Sequence, residues 1–154
     1  MCNIGAEPER LANTVRSARE AAQAAGNRAE FEIAARVPAC ITDEPDAARY
    51  VRARVGIAAL RRDPAEFSPD DRVALEKIKA AFSPREHLRL NAAYAEQVTD
   101  SLIDKFALAG SPEACVDRIR RLMQTGINEL NLAFMHPDTE MLLRTFAARV
   151  MPRL

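Results

Sequence analysis

The stretch FALAGSPEACVDRIRRLMQTGINELNLAF, residues 106–134, limits the possible folds more than any other part of the chain. Ser111 stands at a helix N-cap position, Pro112 follows at the first helical position, and Glu113 falls in the first turn. Val116, Ile119, Leu122 and Met123 then line one helical face up to the stop at Thr125-Gly126, and an apolar strand is predicted at about 128–134. The same order occurs earlier. Glu7-Pro8-Glu9 opens a helix predicted over 8–25, with Leu11, Val15, Ala18 and Ala22 at helical spacing up to Gly26. A strand follows at 31–38, where Phe31, Ile33, Ala35 and Val37 alternate with Glu32, Ala34 and Arg36. Strands that alternate with helices in this way must lie parallel in a helix-covered sheet, because a parallel connection needs a long crossover.

Between these two units the reading is helical. Thr42-Asp43-Glu44-Pro45 predicts a helix from about 45 to 61. From Arg62 to Gly110 there is no strand signal, only three helix starts, SPDDRVALEKIKAAF, SPREHLRLNAAYAEQ and TDSLIDKF, each opened by Ser or Thr with an acid or proline just after. His136-Pro137-Asp138 opens a last helix, predicted over 137–150 and stopped by Pro152. Met1 to Ile4 leaves room only for the tail of a first strand. The expected organisation is one domain over 1–154 with a helical insertion at about 62–110.

Composition removes several classes of function. Lys plus Arg (22) equals Asp plus Glu (22), so the basic field that gathers nucleic acid or anionic membrane is missing, and neither partner is expected. With 48% hydrophobic and 29% charged residues, the chain reads as globular. No stretch approaches the ~20 apolar residues of a membrane span, and MCNIGAEPER lacks the marks of a secretion signal, so the expected compartment is the cytoplasm. Cys2, Cys40 and Cys115 are far apart and form no CxxC, which argues against a zinc site or a disulfide framework, and no metal site is expected.

AAYAEQVTDSLIDKFALAGSPEACVDRIRRLMQTGINELNLAF, followed by the closing MLLRTFAARVMPRL, closely resembles the C-terminal part of the luciferase-like flavin-dependent oxidoreductases, a family that includes deazaflavin-dependent enzymes. The most specific parts are 106–113 and 150–154; NIGAEPERL and EFEIAARVPACIT match more loosely. The resemblance implies the C-terminal portion of a (β/α)8 TIM barrel, with two to three parallel strands. It also implies FMN or a deazaflavin coenzyme for hydride transfer or oxygen insertion on a small-molecule substrate. A full barrel takes ~250 residues, so this chain would supply strands six to eight. The family's chemistry is usually assigned to the N-terminal part, and no catalytic residue is carried over.

Barrel sites are built at strand C-terminal ends. That rule nominates Asn3, Gly5 and His136 for cofactor binding and Cys40 for the side facing a substrate cavity, and polar residues on strand faces that would line the lumen add Arg36, Glu129 and Asn131 to that side. His136 reads equally as a turn or capping residue before Pro137. Cys40 lacks a neighbouring base and reads as a buried thiol. His87, inside an expected helix, reads as a surface residue. Arg36 and Glu129 share a sheet face and are expected to meet, because an unpaired buried charge is expensive. Acidic Glu7 and Glu9 beside Gly5 disfavour a phosphate there. Two further readings stand beside the oxidoreductase segment: a non-catalytic α/β module acting through oligomerisation or a partner, and an incomplete reading frame with its first strands encoded upstream. An open sheet predicts a homo-oligomer, pairing with a complementing N-terminal chain, or helices of 62–110 folded across the open face.

Overall fold

Strand β1 (Ala34–Ile41) is the centre of the fold. It pairs in parallel with β2 (Leu108–Gly110) on one side and β3 (Glu129–Phe134) on the other, giving the order β2-β1-β3. The computed structural model describes residues 5–27, 31–86 and 89–154. Ala35 lies opposite Leu130 and Val37 opposite Leu132, so the apolar alternation read from the sequence becomes one apolar sheet face.

Six helices surround this sheet: α1 (Pro8–Ala24), α2 (Arg49–Ala59), α3 (Pro69–Ala81), α4 (Asp100–Phe106), α5 (Pro112–Met123) and α6 (Thr139–Thr145). Their starts are written in the sequence. Ser68, Thr99 and Ser111 accept hydrogen bonds from the amides of Asp71, Leu102 and Ala114 at 3.2, 3.2 and 3.3 Å, and Asp138 accepts from Met141 at 2.8 Å. Each such cap satisfies an amide with no partner inside its helix, worth ~1 kcal/mol. Beyond α6 the helix widens into a π turn (Phe146–Val150), then a 3₁₀ turn (Met151–Arg153).

The sheet separates two cores. On one face Leu11 and Val15 of α1, Cys115, Val116, Ile119 and Leu122 of α5, and Val150 pack on Ala35, Val37, Ala39 and Ile41. The second core joins Val51 and Val55 of α2, Leu75 and Ile78 of α3, and Leu102, Ile103 and Phe106 of α4 around Tyr94, Val98 and Cys40. A fully buried Leu, Ile or Val contributes roughly 1.5–3 kcal/mol, so each core is a substantial source of stability.

Three expectations change. The region 62–110 does contain a strand, β2, whose three residues are too few to show a period. SPREHLRLNAAYAEQ makes only 3₁₀ turns at Pro84–Glu86 and Ala95–Gln97 within its described residues, because Tyr94 and Ala92 are drawn into the second core instead of sharing a helical face. The helix expected from 45 begins at Arg49, after Asp46 adopts a φ of 55° that no helix allows. The parallel pairing of β1 with β3 is as expected, and α1, α5 and Val150 cover one face, although Leu142 of α6 packs into the other core. The second face is covered only in part. Pro38 and Cys40 are buried, with Pro38 beside Ile57 and Ala58 of α2, whereas Arg36, Glu129 and Asn131 lie exposed. The remnant strand at 1–4, with Cys2 and Asn3, and His87 lie outside the described residues. Among the described residues no helix is long and apolar enough to cross a membrane, and no cluster of His, Cys, Asp or Glu is arranged to hold a metal.

Candidate active-site wall at the strand ends

The loops after the C-terminal ends of β1 and β3 bring a carboxylate and an imidazole together beside a tyrosine of α2. The ladder runs past the strands: the Thr42 amide donates to Gly110 O at 3.0 Å and the Met135 amide to Ala39 O at 2.8 Å, which fixes the loops that follow. From the first loop comes Glu44, whose amide donates to Thr42 Oγ1 at 3.3 Å; from the second comes His136. His136 Nε2 lies 3.3 Å from Glu44 Oε1, and its ring stacks edge-on against Tyr50 with centroids 4.3 Å apart. The Tyr50 hydroxyl donates to Glu44 Oε2 at 3.2 Å and accepts from Arg49, whose guanidinium lies 4.5 Å over the Tyr50 ring. On the other side of His136, Nδ1 accepts from the Asp138 amide at 2.9 Å. The imidazole side chain is only 7% exposed, while the Glu44 carboxylate remains 40% exposed.

Glu44 also lines a groove of about 500 Å³ between the β1 loop, α2, α4 and the end of β2. Its walls carry Asp43, Asp46, Asp100 and Asp104 against a single cation, Arg52, which already faces Asp46 and Asp100 at 3.8 and 3.6 Å. A larger groove of about 900 Å³ runs beside the start of α1. Four of its five cations are engaged in holding the structure together: Arg10 with Glu66, Arg62 with Glu7 and Glu66, Lys105 with Asp71, and Arg118 with the carbonyls of Asp104 and Ala107, while Arg121 makes no ion pair among the described residues. We therefore read it as a structural cleft.

The other nominated residues are placed as follows. Gly5 has a φ of 102°, and a Cβ there would stand 2.6 Å from Lys105 O, so the close approach it permits is to the end of α4. Arg36 and Glu129 do share a sheet face, with Ala34 opposite Glu129 and Arg36 opposite Asn131. The expected contact between them is not formed, and no ion pair among the described residues involves either. Both reach into solvent, where a pair has little to gain over hydration. Cys40 is fully buried in the second core, and burial pushes its thiol up to about 12, with Glu44 adding to the effect. That excludes a ready thiolate. Glu44 and Tyr50 escape a sequence reading because they stand 92 and 86 positions from His136 in the chain, with no local pattern to mark them.

The family profile for luciferase-like monooxygenases matches residues 1–129, and the chain belongs to that family. The closing residues 150–154 lie beyond the match. Among solved structures, the chain resembles the coenzyme F420-dependent tetrahydromethanopterin reductase of Methanopyrus kandleri, with a TM-score of 0.79 and 21% identity over 99% of this chain and 45% of that one. It also resembles an F420-dependent secondary alcohol dehydrogenase solved with an F420–acetone adduct, with a TM-score of 0.66 and 22% identity over 95% of this chain and 40% of that one. No curated protein matches. The chain thus spans less than half the length of both structures, and the likeness at this identity is one of fold: an open, parallel α/β segment of the luciferase-like barrel.

F420 and FMN both carry a phosphate, and the helix start beside these strand ends, that of α5, does not fit one. At the start of α5, Pro112 has no amide hydrogen and the Ala114 amide is taken by Ser111. The Glu113 carboxylate, held below the usual carboxylate range by its own backbone N–H and by Arg149, fills the place an anion would take. The neighbouring groove is walled by carboxylates.

Proposed function

We propose that this chain forms part of the active-site wall of a luciferase-like oxidoreductase that works with a deazaflavin or flavin coenzyme. In this reading the open sheet is completed, and the coenzyme phosphate held, by polypeptide outside this sequence. The observation that carries it is the superposition of 99% of the chain on the F420-dependent reductase. Its strand ends, where barrel enzymes assemble their sites, carry the Glu44–Tyr50–His136 cluster. The exposed Arg36, Glu129 and Asn131 then face the interior that further strands would close. The substrate class is a small carbonyl or alcohol interconverted by hydride transfer, with oxygen insertion as the other reaction of the family.

The test is a fluorescence titration with F420 and with FMN. It is run on the 154-residue chain and on the same chain fused behind the first strands of the F420-dependent secondary alcohol dehydrogenase. Saturable quenching by either coenzyme in either form supports the reading; a folded fusion that quenches neither overturns it. The acid-walled groove and the occupied α5 start favour one second reading, a non-catalytic α/β module that acts through self-association along its open strand edges. Light scattering that shows a defined oligomer, together with no coenzyme response, selects that alternative.

A further inference from the structure

We infer that Glu44 is a pre-set hydrogen-bond acceptor for a hydroxyl group of a bound molecule, with His136 and Tyr50 as its positioning residues. The tautomer of His136 follows from its neighbours. A backbone amide can only donate, so Nδ1, 2.9 Å from the Asp138 amide, carries the lone pair and the proton of the neutral ring sits on Nε2. The Asp138 carbonyl also lies 3.2 Å from Nδ1, farther than the amide that fills its lone pair. Nε2–H is thereby aimed at Glu44, 3.3 Å away. The Tyr50 hydroxyl, polarised by Arg49, donates to the same carboxylate from α2.

Two donors, one from the loop after β3 and one from α2, therefore hold the Glu44 carboxylate in one orientation, and Glu44 itself lines the groove at the ends of β1 and β2. A carboxylate has about four acceptor positions and only two are used by these donors. Arg49 is 3.9 Å away, outside hydrogen-bond reach, and leaves the others free. The carboxylate walls of the groove repel an anionic ligand, whereas a neutral hydroxyl donates to Glu44 without having to shed charge hydration. The buried imidazole does not itself line the groove and acts through Glu44. The inference rests on the oxidoreductase reading only for the expectation that the hydroxyl belongs to a substrate alcohol.

The test uses the full chain labelled with ¹⁵N and ¹³C, and 2-propanol as the probe. The wild-type His136 ring should show the Nε2-protonated pattern, and the Glu44 carboxyl carbon should shift saturably with 2-propanol. The half-saturating concentration should rise at least fivefold in His136→Ala and in Tyr50→Phe, and return toward the wild-type value in His136→Gln, whose carboxamide restores a donor. Glu44→Gln should abolish the response at that position. A Glu44 carbon that does not saturate, or a response unchanged in both Ala and Phe variants with native circular dichroism, overturns the inference. Tyr50→Phe removes a single hydroxyl and keeps the test decisive if His136→Ala fails to fold. A saturating alcohol response in a chain that fails the coenzyme titrations overturns the oxidoreductase reading and leaves the acceptor site standing.

Discussion

Lys105 Nζ lies 2.6 Å from Asp71 Oδ2, and this pair ties α4 to α3 at a point where the Asp71 side chain is only 2% exposed. Thr99 and Ser101 donate to the same carboxylate at 3.3 and 3.1 Å, so the buried acid is fully enclosed by donors. Asp71→Ala strands Lys105 and two hydroxyls and should cost about 3 kcal/mol in urea unfolding. Asp71→Asn, which keeps the shape and loses the charge, should cost less. Equal stability of wild type and Asp71→Ala would show that the network does not hold the two helices.

The same residue sets an acid limit. Burial alone would raise the Asp71 pKa, but hydrogen bonds from Lys105, Ser68 and Ser101 outweigh it and hold the carboxyl below its ordinary value of 3.8. The unfolded chain therefore binds this proton more tightly than the folded one. The contribution of Asp71 is complete above pH 3.8 and is lost as pH falls through the lower folded value. The pH profile of stability should lose part of its acid slope in Asp71→Asn; superimposable slopes would exclude this role.

Cys40 and Cys115 set an alkaline limit of opposite sign. Burial raises their thiols from 9.0 to about 12 and about 11. The stability that the protonated thiols contribute is complete below pH 9.0 and is lost progressively as pH climbs toward those folded values. At pH 8 both residues should resist alkylation in the native chain and react on addition of urea, as read by mass spectrometry. Rapid native labelling of Cys40 would contradict its burial.

Gly5 and Gly26 separate conformational strain from collision. At Gly26, with a φ of 72° and open space around it, Gly→Ala should cost about 1 kcal/mol from backbone strain alone. At Gly5 the same strain is joined by a Cβ placed 2.6 Å from Lys105 O, and the loss should be at least twice as large. Comparable thermal shifts for both variants would mean that the 5–6 segment moves away from α4 without penalty.

A double-mutant cycle on Arg36 and Glu129 should give no coupling beyond error, since the two share a face without contact. A measurable coupling energy would show that the side chains meet in solution.

What the sequence made legible was local. The caps at Ser68, Thr99 and Ser111, the amphipathic face of α5 and the alternation of β1 each depend on residues within a few positions of one another. The illegible parts depend on distant partners. Tyr94 is buried because its ring closes on Gly56, where a Cβ would come within 3.2 Å of it, and nothing near Tyr94 announces that packing. The helix pattern of 83–97 is overridden there, and the Glu86 carboxylate accepts from the Ala93 amide at 3.4 Å in a turn instead. His136 was found by its position after a strand, but the carboxylate it serves lies in another loop. Beyond residue 37 the two-residue alternation of β1 also fails, because Pro38 to Ile41 run between both cores and are buried on each side.

The two cores differ in how much chain must be gathered to close them. Apart from Leu142, the buried members of the second come from the continuous run from Cys40 to Ala107, whereas the first needs Leu11 and Val15 to meet Ile119 and Val150 from the other end of the chain. Loop-closure entropy grows with the span enclosed, so the contiguous core has the lower barrier to assembly. Folding should accordingly begin with α2, α3 and α4, and the sheet should zip last, when α1 and α5 dock on it. Pulsed hydrogen exchange during refolding would show amides of Val55, Ile78 and Leu102 protected ahead of those of Val15 and Ile119; the reverse order would place the nucleus at the sheet. A ribosome that has released residue 107 would then already hold a folded helical unit, waiting for β2 and β3 to give its strand two neighbours.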